Sequence, residues 1–220
     1  MNDKFKQHTV YKNSDGKRVP GVTTITGELG WSKQTLVNWA NRMGLEGIDT
    51  KLYVDDKAAI GTLAHLIITN KLQGIKTSLD DYSKNQITSA KNSVKSFDAW
   101  AKDKKIEPIL VEMPMVSDIM NYGGTMDIYA EIDGYLELLD LKTGSGIYDE
   151  HLIQVGGGYL TILQEHGYWP KKVRILNIPR AKSEKFAEHE IENITICQEI
   201  FANCLKNYQL HKVIRKELKW

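Results

Sequence analysis

A two-residue turn near the middle of the chain constrains the fold more than any other feature of the sequence. Asp133-Gly134 lies between two β-rich runs, residues 125–132 and 135–142. Asp-Gly suits the type I′ turn of a β-hairpin, because both central residues of that turn need positive φ. The sequence therefore predicts an antiparallel hairpin over residues 125–142.

The register of this hairpin predicts where its charged side chains lie. With a two-residue loop, Ile132 faces Tyr135 and Asp127 faces Asp140, with the β-carbons of facing residues roughly 4.5–5.5 Å apart. Because side chains alternate between the two faces of a strand, Lys142 points to the same side as Asp140. Two carboxylates and one ammonium group are thus expected in one patch.

The patch has two interpretations. Two opposed carboxylates destabilise a sheet, and a divalent cation between them reverses the sign of that interaction. Mg²⁺ is usually held by one or two carboxylates together with phosphate oxygens of a substrate, and a nearby lysine can position water or stabilise developing charge. The alternative is an exposed hairpin whose charges are solvated, with Lys142 neutralising one aspartate.

The motifs around the patch follow one another in a distinctive order. Gly-x-x-Asp ends at Asp127, Asp-x-Lys occupies residues 140–142, and a predicted helix containing Gln154 comes next. This order resembles the PD-(D/E)XK nuclease superfamily, and within it the RecB-like branch of phage and mitochondrial genome maintenance exonucleases. The resemblance spans roughly residues 10–180. It implies an α/β fold of the restriction-endonuclease type, with a mixed central β-sheet flanked by helices.

The resemblance also implies a role for each residue of the patch. In that family the aspartates of the two motifs bind Mg²⁺ or Mn²⁺, which makes Asp127 and Asp140 the expected metal ligands. The lysine of the second motif is catalytic, and here it is Lys142. The backbone carbonyl of Leu141 is a further candidate ligand. Gln154 is expected to orient Lys142 or a phosphate from the neighbouring helix.

Three other positions match the family pattern less closely. Residues 61–65 fit the Gly-x-x-x-His motif that supplies a further metal ligand, here His65, although the glutamate that often follows in relatives is missing. Glu112 stands among apolar strand residues, where burial is costly unless the carboxylate is paired or metal-bound. The last family motif is Gln-x-x-x-Tyr, whereas Tyr159 follows Gln154 by five residues. Residues at i and i+5 do not stack on an α-helix, so the spacing counts against Tyr159.

Six residues are candidates for contact with DNA. Residues 19–25 resemble the Pro-Ser-Val-Thr opening of the same exonucleases, and threonine hydroxyls there can bind phosphate or simply belong to a strand. An exposed tryptophan can stack on unpaired bases, or it can pack in the core. Basic residues after the strand predicted at 171–179 can contact phosphates. The candidates are Thr23, Thr24, Trp31, Thr143, Arg180 and Lys182.

Length and composition limit the possibilities further. A chain of 220 residues predicts one domain, with an N-terminal hairpin and helices over 1–105, a catalytic core over 106–180 and a helical extension over 181–220. Its 29 basic and 28 acidic residues argue against a protein that coats nucleic acid, but they permit a local basic groove. Two cysteines cannot supply the four-cysteine iron–sulfur cluster of some RecB-like relatives.

The predicted secondary structure alternates strands and helices. Apolar periodicity and turn signals predict a hairpin with strands at 8–12 and 18–25, helices at 32–44, 55–72, 83–105, 149–164 and 195–218, and strands at 106–117 and 171–179 beside the central hairpin. The glycines at 156–158 each cost roughly 1 kcal/mol inside a helix. They predict a close approach by the sheet or by the DNA backbone.

The sequence favours a metal-dependent deoxyribonuclease that acts on DNA ends in phage-type recombination, replication or repair, where recombination or replication proteins are expected partners. The sequence leaves two alternatives open: a structure-selective endonuclease with the same site, and a catalytically silent DNA-binding module. The chain has no apolar run of membrane-spanning length and no signal-peptide pattern. A cytoplasmic protein of a phage or its bacterial host, without membrane association, is therefore expected.

Overall fold

A computed structural model describes residues 9–218 of the chain, so His8, the first residue of the predicted N-terminal strand, lies outside the described residues. The elements follow in this order: β1 (Tyr11–Lys12), β2 (Arg18–Val19), α1 (Val22–Thr26), α2 (Lys33–Leu45), α3 (Thr50–Leu72), α4 (Lys84–Ala101), β3 (Ile106–Ser117), β4 (Tyr122–Ile132), β5 (Tyr135–Lys142), α5 (Asp149–Leu152), a π-helix (Ile153–Tyr159), α6 (Leu160–Glu165), β6 (Lys172–Asn177), β7 (Ala187–Glu190) and α7 (Ile194–Glu217).

Within residues 9–218 the centre of the fold is a mixed sheet of five strands in the order β3-β4-β5-β6-β7. Strands β5 and β6 are parallel, and the other neighbouring pairs are antiparallel. The helical segment between β5 and β6 supplies the crossover that a parallel pair requires. The predicted α/β architecture, a mixed sheet flanked by helices, is confirmed at this level.

Helices cover both faces of the sheet, because side chains of the strands alternate between two apolar clusters. On one face, Ile68 of α3 and Phe97 of α4 pack against a cluster that includes Ile128 and Leu139. On the other face, the segment from α5 to α6 and helix α7 pack against a cluster that includes Tyr129 and Leu138. None of the helices in the described range combines the length and apolar composition of a membrane-spanning segment.

The central hairpin has the predicted register. Asp133 and Gly134 have φ of 51° and 86°, as a type I′ turn requires. Ile132 pairs with Tyr135, and the ladder continues as far as the pair Ile128–Leu139. The next residues along the two strands are Asp127 and Asp140.

The N-terminal segment differs from its prediction. The hairpin of β1 and β2 forms, but the second strand ends at Val19, and residues 22–26 form the short helix α1 instead of an extended strand. Val22 and Ile25, three residues apart, are both buried in the core. This spacing suits a helix, so tertiary packing outweighs the strand preference of the β-branched residues there.

Several boundaries also differ from the prediction. Helix α3 begins at Thr50, because the Asp49 side chain accepts hydrogen bonds from the backbone N–H groups of Lys51 and Leu52 and so caps it. Helix α4 ends at Ala101 rather than at residue 105. Strand β7 was not predicted, since its sequence Ala-Glu-His-Glu has little apolar character.

The glycine run at 156–158 lies in the π-helix, where it allows α7 to approach closely. A β-carbon at Gly157 would lie 2.5 Å from the carbonyl oxygen of Cys197 and 2.7 Å from Cβ of Phe201. A β-carbon at Gly158 would lie 2.6 Å from Cγ1 of Val22 on α1. The nearest atoms therefore belong to α7 and α1 rather than to the sheet that the sequence led us to expect, so helix–helix packing explains these two glycines.

Replacing Gly157 by alanine tests this explanation. Overpacking against the α7 backbone is expected to lower the free energy of unfolding by roughly 1–3 kcal/mol, and the melting temperature by about 2–4 °C for each kcal/mol in a chain of this size. The matched control is Gly44→Ala in α2, where an added β-carbon meets no atom within 4 Å. That variant is expected to be as stable as the original or up to about 1 kcal/mol more stable. Equal losses in both variants would contradict the explanation.

Candidate metal centre

Three potential metal ligands from three different elements converge beside the end of the hairpin. They are His65 of α3, Glu112 of β3 and Asp127 of β4, and their ligand atoms all lie within 4.8 Å of one another. His65 Nδ1 is 3.5 Å from Asp127 Oδ1 and 4.0 Å from Glu112 Oε1. An imidazole and two carboxylates are a donor set suited to a divalent cation.

A glycine one turn earlier in α3 explains how the helix brings His65 to the hairpin. A β-carbon at Gly61 would lie 2.7 Å from the hydroxyl oxygen of Thr143, the residue after Lys142. Only glycine lets the helix pass this close to the end of β5 without displacing Thr143. Residues four apart lie on the same side of a helix, so His65 faces the same region as Gly61. The structure thus gives a physical reason for the Gly-x-x-x-His spacing.

Glu112 occupies an irregular position in the sheet. Its neighbours Val111 and Met113 pair with Ile128 and Met126 of β4, which places Glu112 opposite Asp127 without a regular pair between them. Its φ is 49°, a conformation that costs a residue with a side chain of order 1–3 kcal/mol. Glu112 Oε1 is buried and accepts no hydrogen bond from the described residues. A strained residue with a buried, unsatisfied acceptor suits the role of a metal ligand, because a cation would satisfy that oxygen.

Asp127 is fixed by the strand beside it. Its Oδ2 accepts a hydrogen bond from the backbone N–H of Leu141 at 2.7 Å, beyond the last regular pair of the ladder. The other oxygen, Oδ1, is the one closest to His65. Leu141, predicted as a carbonyl ligand, contributes its N–H group to Asp127 and its buried side chain to the core.

Asp140 and Lys142 form an ion pair next to these three residues. Lys142 Nζ lies 2.7 Å from Asp140 Oδ2, and the Asp140 side chain is only 3% exposed. The contact has the distance but not the angles of a good hydrogen bond, so Asp140 Oδ2 is still without one. The prediction paired Asp127 with Asp140 as ligands, whereas the three-residue cluster contains Glu112 in that place.

The pKa shifts show how burial and charge are balanced here. Burial and the neighbouring Asp127 raise the pKa of Glu112 to about 7. Burial also raises the pKa of Asp140 to about 6, although Lys142 opposes the shift. For Asp127, burial acts upward, but His65 and Lys142 outweigh it and the pKa is lowered. For His65, burial acts downward, but Asp127 and Glu112 outweigh it and the pKa is raised.

Gln154 and Tyr159 are in direct contact. Gln154 Nε2 donates a hydrogen bond of 2.7 Å to the Tyr159 hydroxyl. On an α-helix the five-residue spacing would separate the two side chains, but Gln154 and Tyr159 are the second and last residues of a segment that is π-helical from 153 to 159. In a π-helix the hydrogen bonds run from i to i+5. The five-residue separation therefore brings the two side chains together.

Two tyrosines pack on consecutive glycines of β4, close to Asp127. A β-carbon at Gly124 would lie 2.7 Å from Cε1 of Tyr159, and one at Gly123 would overlap the ring of Tyr11. The Tyr11 hydroxyl is 2.9 Å from Oγ1 of Thr125. Sequence reasoning missed Tyr11, although the Gly-Gly pair inside a strand was a signal of close approach.

The predicted DNA-contacting residues are distributed over the surface. Thr143 and Arg180 line a cleft of about 530 Å³ that also contains Trp39 and Tyr53. Arg180 pairs with Glu184 at 2.6 Å, so its charge is largely compensated. The others, Thr23, Thr24, Trp31 and Lys182, are exposed and take no part in the three-residue cluster.

Comparisons with known proteins do not assign the chain to a family. No protein-family model matches it, and no curated protein matches it. Among solved structures, the crystal structure of SSO0001 is similar over 92% of this chain and 80% of that chain, with 14% sequence identity and a TM-score of 0.42. A TM-score below 0.5 is too low for conclusions about fold or function.

The cluster predicts a stabilising response to a divalent cation. With free Mn²⁺ at about 100 times its dissociation constant, the native state gains about 2.7 kcal/mol, which raises the melting temperature by roughly 5–10 °C over the protein in EDTA. Glu112→Gln and Asp127→Asn are expected to abolish the rise. Because a neutral amide no longer repels Asp127, Glu112→Gln should also melt at a higher temperature than the original protein in EDTA at pH 8.

The control for this measurement lies on the same strand. Glu107 is exposed and pairs with Lys105 at 2.7 Å, so Glu107→Gln removes one carboxylate of β3 outside the cluster. It should keep the full response to Mn²⁺. A full response in Glu112→Gln would exclude Glu112 as a ligand.

Proposed function

We propose that the protein is a metal-dependent deoxyribonuclease of the RecB-like PD-(D/E)XK type. The observation that carries the proposal is the convergence of His65, Glu112 and Asp127 beside the ion pair of Asp140 and Lys142. The three-residue cluster can bind a divalent cation, and Lys142 beside it can serve as the catalytic lysine. Both features suit the hydrolysis of a phosphodiester.

The order of elements supports the same proposal. The hairpin of β4 and β5 carries Asp127 on one strand and Asp140 with Lys142 on the other, and the helical segment that follows carries Gln154. This segment leads to β6, which pairs parallel to β5. The three sequence motifs that resemble the family thus lie on this hairpin and on the helical segment after it, in the order in which the family has them.

Two departures from the family pattern have structural compensations. The extra residue between Gln154 and Tyr159 is accommodated by the π-helix, which keeps the two side chains hydrogen-bonded. The glutamate after His65 is missing, but Glu112 of β3 provides a carboxylate 4.0 Å from the imidazole.

In the proposed mechanism His65, Glu112 and Asp127 hold Mg²⁺ or Mn²⁺, with Asp140 beside them. The bound cation would polarise the scissile phosphate and lower the pKa of an attacking water. Asp140 holds Lys142 by the 2.7 Å contact, so the ammonium group is fixed where it can orient the water or stabilise the negative charge that develops on the phosphate.

Gln154 has a supporting part in this mechanism. Its amide nitrogen is engaged by the Tyr159 hydroxyl, which fixes the side chain and leaves its carbonyl oxygen as an acceptor. That oxygen can orient the Lys142 ammonium group, which has three donors. Tyr159 therefore acts through Gln154 as a positioning residue.

The proposed substrate is DNA, and the proposed activity starts at DNA ends. The sequence resemblance to phage and mitochondrial exonucleases supports end-dependent action in recombination, replication or repair. An endonuclease would use the same residues for the same chemistry. The experiment below therefore distinguishes the two activities by comparing linear DNA with closed circular DNA.

The experiment compares end-labelled linear DNA with closed circular DNA in Mg²⁺, in Mn²⁺ and in EDTA. Loss of the linear DNA alone is expected, with none in EDTA. Lys142→Ala should reduce the rate by at least about 10², the lower range for loss of one acid–base or charge-stabilising group. Lys76→Ala, at an exposed lysine in the loop after α3, is the matched control and should cleave at the original rate.

Other outcomes would change the proposal in defined ways. Cutting of the circular DNA would make the protein an endonuclease with the same site. Cleavage that persists in Lys142→Ala, or in EDTA, would refute the assigned site. Binding of DNA without cleavage under any condition would leave a silent DNA-binding module.

A further inference from the structure

A polar cavity of about 590 Å³ lies beside the N-terminal hairpin, where β1, β2, α1 and α7 meet. None of the residues used in the proposed mechanism lines it. Its lining combines cationic and hydroxyl side chains from sequence positions nearly 200 residues apart: Tyr11, Arg18, Thr23, Thr24, Tyr208 and Lys212.

The charge that the described residues bring to this cavity is positive and not compensated by a carboxylate among them. Arg18 and Lys212 line it, and no carboxylate is among its described lining residues. Within residues 9–218, neither cation lies within 4.0 Å of a carboxylate oxygen in an ion pair, whereas Arg180 at the other cleft is paired with Glu184. Since the whole chain has a formal net charge of only +1, two unpaired cations in one cavity form a local anion-attracting site.

Hydroxyl groups complete the lining. The side chains of Thr23 and Thr24 are exposed at the start of α1, and their hydroxyls make no hydrogen bond with the described residues. The Lys212 ammonium lies 5.5 Å from the centre of the Tyr208 ring, which keeps this long side chain over the cavity. Lysine, arginine and threonine are the side chains that contact phosphate oxygens in nucleic-acid complexes.

Tyr11 connects the cavity to β4, the strand that carries Asp127. The ring of this residue lines the cavity and packs on Gly123, while its hydroxyl contacts Thr125 at 2.9 Å. Thr125 precedes Asp127 by two residues, or roughly 7 Å along an extended strand. Tyr11 thus joins the cavity to the strand that carries Asp127, one of the three residues of the metal centre.

We propose that this cavity binds a phosphate group of the nucleic-acid strand whose scissile bond lies at the metal centre, with Arg18 and Lys212 as the charged contacts. The inference takes its ligand from the proposed nuclease function. A terminal phosphate and an internal phosphodiester offer the same anionic oxygens, and the experiment separates them.

The test measures binding of fluorescent single-stranded oligonucleotides by anisotropy in EDTA, so that cleavage does not interfere. The oligonucleotides carry a 5′-phosphate, a 3′-phosphate or no terminal phosphate. The double variant Arg18→Gln with Lys212→Gln is expected to bind roughly tenfold more weakly, and the slope of log affinity against log salt should become shallower by about 1.4 for two lost contacts with a single strand.

The controls separate a site from general charge. Arg215→Gln with Lys216→Gln removes two exposed charges of the same helix outside the cavity, and it should change affinity by less than about twofold. Arg18→Lys with Lys212→Arg keeps the charges and should bind like the original protein. Far-ultraviolet circular dichroism and melting temperature confirm that the variants fold.

Each outcome of the binding test decides the proposal. Weakening confined to one phosphorylated end supports a pocket for a terminal phosphate, and equal weakening for all three oligonucleotides supports an internal phosphodiester. If the Arg18 and Lys212 double variant binds like the Arg215 and Lys216 control, or if the original protein binds no oligonucleotide, the proposal is refuted.

Cleavage by the same proteins in Mn²⁺ distinguishes this failure from failure of the nuclease proposal. Binding that depends on Arg18 and Lys212 without any cleavage leaves the cavity assigned and removes the nuclease. Cleavage together with unchanged binding in the double variant keeps the nuclease and removes the cavity.

Discussion

Burial of negative charge where the central hairpin loses its regular pairing is the constraint on which the candidate site depends. The ladder of β4 and β5 is regular up to Ile128 and Leu139, and then the carboxylate of Asp127 takes the N–H of Leu141 in place of a backbone acceptor. Asp140, on the other strand, is buried against Lys142. A buried carboxylate is costly unless it is paired. The surrounding helices and strands supply that pairing: an imidazole from α3, an ammonium from β5 itself and, in the proposed function, a cation.

The helical segment after the hairpin shows how one irregularity serves two purposes. Its π-helical turn brings Gln154 into contact with Tyr159, five residues later. Its glycines let α7 approach so closely that a β-carbon at Gly157 would overlap the Cys197 carbonyl oxygen and Cβ of Phe201. Glycine in a helix costs up to about 1 kcal/mol relative to alanine. Apolar packing of Phe201 and Val22 against this segment offsets the cost. The same contacts hold the Gln154 side of the site at a fixed distance from the sheet.

The sequence predicts the parts of this structure that depend on local signals. The Asp-Gly turn gives the register of the hairpin correctly, and the register brings Asp127 and Asp140 to adjacent positions. Local signals do not predict the features of the structure that depend on tertiary contacts. Glu112 joins the cluster because its backbone adopts φ of 49° opposite Asp127, which periodicity cannot reveal. Strand β7 pairs with β6 through contacts that its own sequence does not reveal, including the ion pairs of Arg174 with Glu188 and Glu190. The contact between Gln154 and Tyr159 depends on a π-helical segment, which the spacing of residues in the sequence does not reveal.

The distribution of charge determines where this almost neutral chain would repel a nucleic-acid strand and where it would attract one. Without a cation, the carboxylates of Glu112, Asp127 and Asp140 repel a phosphodiester at the very point where it would react, and Lys142 alone cannot reverse that repulsion because Asp140 already engages it. A divalent cation changes the sign of the local field. In the proposed function the cation is thus required for productive approach of the strand as well as for the chemistry. Arg18 and Lys212, which form no ion pair with any residue from 9 to 218, lie outside this anionic centre. They can attract the strand whether or not a divalent cation is bound. In the proposed function, one set of residues therefore attracts the nucleic acid and another set carries out its hydrolysis.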